Sequence, residues 1–284
     1  MSFPDTEPRA NILVAYPYWS AGSAKHVAAG GDRVRLVIDS GAFTAWKAGK
    51  PIALDDYCKF IEELSPTPWR YFTLDVVGDA KATLANYETM LKRGFEPVPI
   101  FTRGEDPSVL EDYYATSDLV GVGGLVGTRN NKGFVNGIMK RIGDRKVHWL
   151  GFTNIDYIKF YRPYMCDSSS WEAGARYASV KLYMGNGRYV SIKKADFIKQ
   201  PPEDVLERIR FLGFDPYVLR KDTAWRGGEG VTRQLSAASS QVLSLDIQRN
   251  LGTLYFNAIG QSFIAISFFV RALDTQLAGA RDAA

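Results

Sequence analysis

The sequence predicts an α/β fold, a (β/α)8 barrel of the TIM type with a small hairpin and helix insertion after the seventh strand. Apolar, strand-like runs alternate with helix-like stretches seven times in succession. The repeats are spaced by roughly 25 to 35 residues, which suits a barrel better than an open sheet. The length of 284 residues also fits one barrel. We therefore expect a single domain over residues 1–284.

In the first part of the chain, the hydrophobic pattern and the turn residues locate the alternating strands and helices. The predicted strands are 11–16, 34–38, 69–77, 96–102, 119–125, 147–153 and 164–171. The predicted helices are 54–64, 80–93, 108–116, 132–142 and 155–161. In the second predicted strand, Val34, Leu36, Val37 and Ile38 are β-branched or aliphatic and do not alternate with polar residues, which is typical of a strand buried on both faces.

After Trp171 the pattern changes. Residues 180–192 predict a β-hairpin that turns at Gly185-Asn186-Gly187, and 201–212 predict an amphipathic helix. Residues 218–231 are expected to be a polar loop. From 236 to 277, helical spacing of apolar residues predicts a helix that packs on the barrel.

Composition limits the chemistry. Two cysteines and two histidines cannot make a clustered zinc site or a disulfide framework, so we expect no metal and no other cofactor. We see neither a signal sequence nor an apolar stretch near the roughly 20 residues that span a bilayer. We expect no membrane association and a cytoplasmic protein, in the host cytoplasm if a phage encodes it. The oligomeric state is left open.

The net charge of +4 is mild, but its distribution is uneven. Residues 181–233 carry 11 basic and 7 acidic side chains, a surplus of 4 that equals the excess of the whole chain. Aromatic residues are interleaved with them, a mixture suited to phosphates and stacked bases. We interpret residues 180–233 as a basic insertion that contacts nucleic acid. The alternative is that their charged side chains only form a solvent-exposed rim of the fold. The expected phosphate contacts are Arg188, Lys193, Lys194, Arg220, Lys221 and Arg226.

Carboxylates fall at the predicted C-terminal ends of strands: Asp39, Asp75, Asp79 and Asp167. Because a barrel brings the carboxyl ends of its strands together, these side chains are expected to share a cavity. Two carboxylates in one pocket suit acid/base and nucleophilic work on an acetal-like carbon. The alternative for Asp39-Ser40-Gly41 is a turn or a helix cap.

Other reactive side chains are assigned structural roles. Cys166 is interpreted as a packing residue, and His148 has no orienting partner visible in the sequence. Trp46, Trp149 and Trp171 are interpreted as core residues.

Four segments, in this order, resemble the tRNA-guanine transglycosylase superfamily. They are Ile38-Asp39-Ser40-Gly41-Ala42-Phe43, Leu74-Asp75, Gly123-Gly124-Leu125 and Tyr164-Met165-Cys166-Asp167. The resemblance covers about residues 34 to 192. It implies that Asp167 is a nucleophile that holds a nucleotide as a covalent glycosyl-enzyme. It further implies that Asp39 moves protons to and from the bases.

The same resemblance implies a base pocket. Asp75 would recognise a guanine-like edge, and the expected lining is Ser40, Gly41, Phe43, Gly123, Gly124, Leu125 and Arg103. Arg103 stands where the family carries a base-reading Gln, and Ser168-Ser169-Ser170-Trp171 replaces its Pro-Thr-Arg. The family's cysteine-rich zinc subdomain is absent from the sequence. Because it lacks this subdomain, the chain is similar to the short, zinc-free, DNA-modifying branch of the superfamily in bacteria and phages.

The predicted function is therefore exchange of guanine in DNA for a 7-deazaguanine base such as preQ0. The alternatives are tRNA base exchange, hydrolysis of a glycosidic bond, or a catalytically silent nucleic-acid-binding barrel that partners an active subunit. The barrel fold does not choose among these, since barrels host unrelated chemistries.

Overall fold

The structure is a computed structural model, and it describes residues 7–125, 132–198, 201–225 and 230–282. The described strands are β1 Ala10–Ala15, β2 Val34–Asp39, β3 Arg70–Tyr71, β4 Ile100–Phe101, β5 Leu119–Val122, β6 Lys146–Trp149, β7 Met165–Ser168, β8 Ser179–Gly185, β9 Arg188–Lys193 and β10 Leu254–Ile259. The described α-helices are α1 Ala21–Gly30, α2 Ala42–Lys47, α3 Leu54–Glu63, α4 Ala80–Lys92, α5 Val109–Thr116, α6 Lys132–Ile142, α7 Ile155–Tyr161, α8 Lys194–Ile198, α9 Glu203–Phe211, α10 Val231–Leu251 and α11 Ala265–Asp282.

An eight-stranded sheet has the order β3-β2-β1-β10-β7-β6-β5-β4, and β8 pairs with β9 in a separate two-stranded sheet. The pairs β2/β3, β4/β5, β5/β6 and β6/β7 are parallel. A parallel bridge between Phe72 and Val98 also joins the segment after β3 to the segment before β4. The predicted α/β class is confirmed, with strands and helices alternating from β1 to β7.

β3 and β4 are shorter than the sequence predicts, and proline explains why. Pro97 and Pro99 flank Val98 and have no N–H to donate to a neighbouring strand. Val98 pairs with the segment after β3: its N–H donates to the Tyr71 carbonyl, and its carbonyl accepts from the Thr73 N–H.

The chain divides into two compact units. Unit 1 comprises Met1–Ile12, Ser20–Arg35 and Ser169–Ala284, and unit 2 comprises Leu13–Trp19 and Leu36–Ser168. The core of unit 2 is made by the apolar runs of its strands, and that of unit 1 by the hairpin β8/β9 with α9 and α10. The single domain over residues 1–284 stays a prediction.

Two predictions for unit 1 are wrong. The stretch 236–277 is not continuous helix, because α10 ends at Leu251, Gly252 takes a left-handed φ of 72°, and β10 follows. The buried run Leu254, Tyr255 and Phe256 forms this strand. In the stretch 218–231, which the sequence predicts to be a loop, residues 218–220 and 222–225 belong to the 3₁₀ helices Pro216–Arg220 and Asp222–Trp225, and residues 226–229 lie outside the described residues.

The predicted hairpin is confirmed, with β8 and β9 antiparallel and a turn at Asn186, whose φ is 52°. Within the described ranges, no helix is both long enough and apolar enough to cross a bilayer.

Candidate active site

The end of β2 builds the first part of the site. Gly41 has φ of 74°, and a Cβ there would lie 2.2 Å from Pro17 Cδ, so both backbone conformation and space favour glycine. The turn brings the Gly41 N–H to Asp39 Oδ2 at 3.1 Å. The Ala42 N–H donates to Ser40 Oγ over 3.2 Å. The predicted turn is therefore present, and it also fixes the carboxylate of Asp39, whereas the N-cap residue of α2 is Gly41, which has no side chain to cap the helix.

The segment after β3 places a second carboxylate beside this turn. Ser40 Oγ donates to Asp75 Oδ1 over 2.6 Å. Helix α4 supports the same segment, because Asn86 Nδ2 donates to the Leu74 carbonyl and the Val76 N–H donates to Thr83 Oγ1, both over 2.9 Å. Asp75 therefore has its position set from two neighbouring elements.

The third carboxylate belongs to β7. Asp167 is 8% exposed, and its Oδ1 lies 2.9 Å from His148 Nε2 and accepts from the Gly151 N–H, also over 2.9 Å. The parallel register of β6 and β7, with Trp149 opposite Cys166, places these groups side by side. The expectation that His148 lacks an orienting partner is wrong.

Two of the carboxylates act on the third. Burial, together with the charges of Asp75 and Asp167, raises the pKa of Asp39 from 3.8 to about 7, against hydrogen bonds from Gly41 and Ser40. Burial also raises the pKa of Asp75, although the Ser40 hydroxyl opposes this. Asp39 can therefore hold or release a proton near neutral pH.

The second set of predicted lining residues lies at the ends of β4 and β5. Gly124 has φ of 71°, and a Cβ there would lie 2.9 Å from Arg103 Cβ, so this glycine allows close approach of the Arg103 segment. The Gly123 N–H donates to the Phe101 carbonyl, and Leu125 is buried. The Arg103 guanidinium lies 5.2 Å from the centre of the Phe134 ring. Arg103 thus lies beside Gly124, and the role of this set in base binding stays a prediction.

Phe43 and Trp46 form an exposed aromatic pair on α2. They are 53% and 59% exposed, and their rings stack at 6.0 Å between centroids. Lys47 Nζ lies 4.3 Å from the centre of the Phe43 ring. The interpretation of Trp46 as a core residue is wrong, because α2 buries Ala42 and Ala45 instead. Trp149 and Trp171 are buried as expected.

The remaining candidates near the strand ends have structural roles. Asp79 caps α4, its Oδ1 accepting from the Ala82 N–H over 2.9 Å. Cys166 is fully buried, and burial raises the pKa of its thiol, with a further contribution from Asp167. Both observations agree with Cys166 as a packing residue. Among the described residues, no group of three or more His, Cys, Asp or Glu side chains could hold a metal ion.

The predicted phosphate contacts belong to unit 1 and are surrounded by mixed charge. Lys194 lies 2.7 Å from Asp222, and Arg188 lies 3.6 Å from Asp204. Arg220 stacks over the Tyr217 ring at 4.9 Å. Lys193, Arg220 and Lys221 are exposed, and Arg226 lies outside the described residues. Phosphate binding by this set stays a prediction.

Comparison with known proteins identifies no family. No family model matches the chain, and no curated protein does. Two solved structures are similar at a TM-score of 0.34: the catalytic module of a family 98 glycoside hydrolase from Streptococcus pneumoniae TIGR4, with the LewisY pentasaccharide and in its native form. Identities are 9% and 8%, over 94% and 93% of this chain. The chain spans about half, 52%, of each of those structures.

Proposed function

We propose that this chain is a base-exchange transglycosylase that replaces guanine in DNA by a 7-deazaguanine base such as preQ0. The observation that carries the proposal is the pairing of two carboxylates in different environments within unit 2. Asp39 has a pKa of about 7, whereas Asp167 accepts two hydrogen bonds on one oxygen. Such a difference assigns acid/base work to one carboxylate and nucleophilic work to the other.

In the first half-reaction, an Asp167 oxygen bonds to the anomeric carbon C1′ of the target nucleotide. The bond from C1′ to the guanine nitrogen breaks, and its electron pair leaves with the base. Protonated Asp39 donates its proton to the departing guanine, which makes it a better leaving group. The product is free guanine and a covalent aspartyl-glycosyl enzyme.

In the second half-reaction, ionised Asp39 takes a proton from the incoming 7-deazaguanine base. A ring nitrogen of that base attacks C1′, and the bond to Asp167 breaks. Both carboxylates return to their starting protonation. The exchange needs neither a redox step nor a nucleotide triphosphate, because one glycosidic bond replaces another.

Base recognition is assigned to Asp75 and the strand-end backbone. A carboxylate accepts hydrogen bonds from the ring N–H and amino groups on the edge of a guanine-like base. Ser40, in the turn after β2, donates a hydrogen bond to Asp75, and the Gly41 N–H of the same turn donates to Asp39. One short turn therefore positions both the carboxylate that recognises the base and the carboxylate that transfers the proton. The resemblance adds Gly123, Gly124, Leu125 and Arg103 as the rest of the pocket.

DNA is the proposed substrate because of the basic and aromatic side chains of residues 180–233. We place these residues as a hairpin and helix insertion in a (β/α)8 barrel. The target base must leave the duplex stack, at a cost of about a few kcal/mol, so unpaired DNA should react faster. If neutralising Lys193, Arg220 and Lys221 leaves both DNA affinity and its salt dependence unchanged, the phosphate assignment is wrong.

The test measures release of labelled guanine from DNA and from tRNA, with and without added preQ0. We expect release from DNA that depends on the added base and is lost in Asp167→Asn and strongly reduced in Asp39→Asn. Asp79→Asn is the matched control, because asparagine also caps a helix and Asp79 serves α4. Release from tRNA alone would move the substrate to tRNA, and repeated turnover without added base, beyond one guanine per enzyme, would indicate hydrolysis. DNA binding without any release would indicate a silent binding barrel.

A further inference from the structure

His148 is a buried polar residue with one polar partner in the described structure. Its side chain is 0% exposed on β6, and its Nε2 lies 2.9 Å from Asp167 Oδ1. The imidazole ring packs beside Phe72, with 4.9 Å between the ring centroids. An apolar side chain would fill this place without the cost of burying imidazole nitrogens. The hydrogen bond to Asp167 is therefore the feature that needs a functional explanation.

The contact fixes which ring nitrogen donates. An ionised carboxylate only accepts hydrogen bonds, so the hydrogen between the two groups belongs to His148 Nε2. Within the described part of the chain, Nδ1 has no hydrogen-bond partner and is buried. His148 therefore acts on Asp167 as a hydrogen-bond donor through Nε2.

The two donors select one oxygen of Asp167. The His148 Nε2–H and the Gly151 N–H both point to Oδ1, each over 2.9 Å. In the described residues, no hydrogen bond is directed to Oδ2. Hydrogen bonding lowers the electron density available at Oδ1 and fixes the rotation of the carboxylate. Oδ2 is left as the oxygen with a lone pair available for attack.

We propose that His148 is a positioning residue that, together with the Gly151 N–H, holds Asp167 so that Oδ2 is the nucleophile. This rests on the proposed function, in which Asp167 attacks C1′. The bond from Oδ2 to C1′ forms while the bond from C1′ to the departing base breaks. The negative charge of the carboxylate is lost in the ester, and Oδ1 becomes its carbonyl oxygen. His148 itself transfers no proton and touches no substrate atom.

Variants separate this role from simple packing. His148→Phe keeps an aromatic ring beside Phe72 but removes the donor, and His148→Gln keeps an N–H donor at a similar reach. His26→Gln is the control, because His26 is the second of the two histidines and belongs to α1. Circular dichroism and urea unfolding establish that each variant is folded. If His148→Phe fails to fold, His148→Gln and the NMR measurement below still decide the proposal.

The kinetic test is a single turnover that follows formation of the covalent adduct on guanine-containing DNA. Loss of a hydrogen bond to a charged group predicts a rate about 10- to 100-fold lower in His148→Phe. DNA affinity should be unchanged, and His148→Gln should recover most of the rate. Equal rates for wild type and His148→Phe would overturn the proposal. So would equally slow rates for the Phe and Gln variants when both are folded.

The second readout does not depend on catalysis. In ¹⁵N-histidine-labelled protein, the His26→Gln variant assigns the His148 ring, and its couplings report which nitrogen carries hydrogen. We expect hydrogen on Nε2, and a shift of that proton in Asp167→Asn. A ring with hydrogen on Nδ1 alone would overturn the proposal even if base exchange occurs. If the Nε2–H form is found but wild type makes no adduct with any nucleic acid, the proposed function fails, and the nucleophile assignment fails with it.

Discussion

The Ser40 hydroxyl donates a hydrogen bond to Asp75 Oδ1 over 2.6 Å, which joins the turn after β2 to the carboxylate after β3. The same turn presents the Gly41 N–H to Asp39. One short segment therefore controls two of the three carboxylates in the candidate site. Its sequence, Asp39-Ser40-Gly41, supplies one acid, one hydroxyl and one residue that tolerates positive φ.

Replacing Ser40 by Ala should weaken recognition of the incoming base. The Ser40 hydrogen bond opposes the rise in the pKa of Asp75 that burial causes, so its loss raises that pKa further. A more protonated Asp75 accepts hydrogen bonds less well. We expect the KM for preQ0 to rise about tenfold, with a smaller change in kcat. Ser117→Ala, which removes a hydroxyl bonded to the Leu119 carbonyl, is the control. An unchanged KM would show that Asp75 does not recognise the incoming base.

The rate of guanine release should fall as the pH rises through about 7. Asp39 acts as a general acid in this step, and its pKa is raised to about 7 by burial and by Asp75 and Asp167. Asp39→Asn cannot donate a proton, so its rate should be lower by about 10²- to 10⁴-fold and lose this pH dependence. Single-turnover release measured from pH 5 to pH 9 is the check. A wild-type profile that is flat across neutral pH would contradict the assignment.

Asp39 should also lower folding stability at high pH. Its pKa is about 7 in the folded chain and near 3.8 when unfolded, so the folded state binds the extra proton between these values. Stability is then lost as pH rises from about 4 to about 7 and stays low above that. Asp39→Asn removes this loss.

Urea unfolding of wild type and Asp39→Asn is compared at pH 4 and pH 8. We expect the variant to be about 1 to 3 kcal/mol more stable at pH 8, with little advantage at pH 4. Asp79→Asn should show no such difference between the two pH values. If Asp39→Asn is destabilised equally at both pH values, the fold does not disfavour the ionised form of the Asp39 carboxylate.

Trp46 should stack on a nucleotide of the DNA substrate. It is 59% exposed beside the Phe43 ring, with the Lys47 ammonium close by. Stacking of a base on an aromatic side chain contributes about 1 to 3 kcal/mol, so Trp46→Ala should weaken binding of single-stranded DNA about 5- to 100-fold. Phe160→Ala is the control, since Phe160 is 79% exposed on α7. Equal affinity for wild type and Trp46→Ala would remove Trp46 from the binding surface.

The sequence pattern was sufficient where local chemistry decides the structure. The bounds of α6 and α7 follow apolar periodicity, and the turn at Asn186 follows from residues that accept positive φ. The Asp39-Ser40-Gly41 segment likewise combines a turn with a strand-end carboxylate, because each of its residues has a local preference for that role. These features need little information from the rest of the chain.

Features set by distant contacts were missed. The sequence predicts helix where β10 forms because Leu254 and Ile259 continue the spacing of the α10 residues, and only Gly252 marks the break. The sequence does not reveal the role of His148, because its partner lies 19 residues later, on the neighbouring strand. Strand register could have indicated the contact between His148 and Asp167, because a polar residue near the end of β6 lies beside the end of β7.

The most direct test of base exchange is mass spectrometry of nucleosides from DNA and from tRNA, each incubated with the protein and preQ0. Asp167→Ala serves as the control without the nucleophile. We expect a 7-deazaguanine nucleoside in DNA alone, formed only when Asp167 is intact. The same nucleoside made equally by Asp167→Ala, or no modified nucleoside in either polymer, would contradict it.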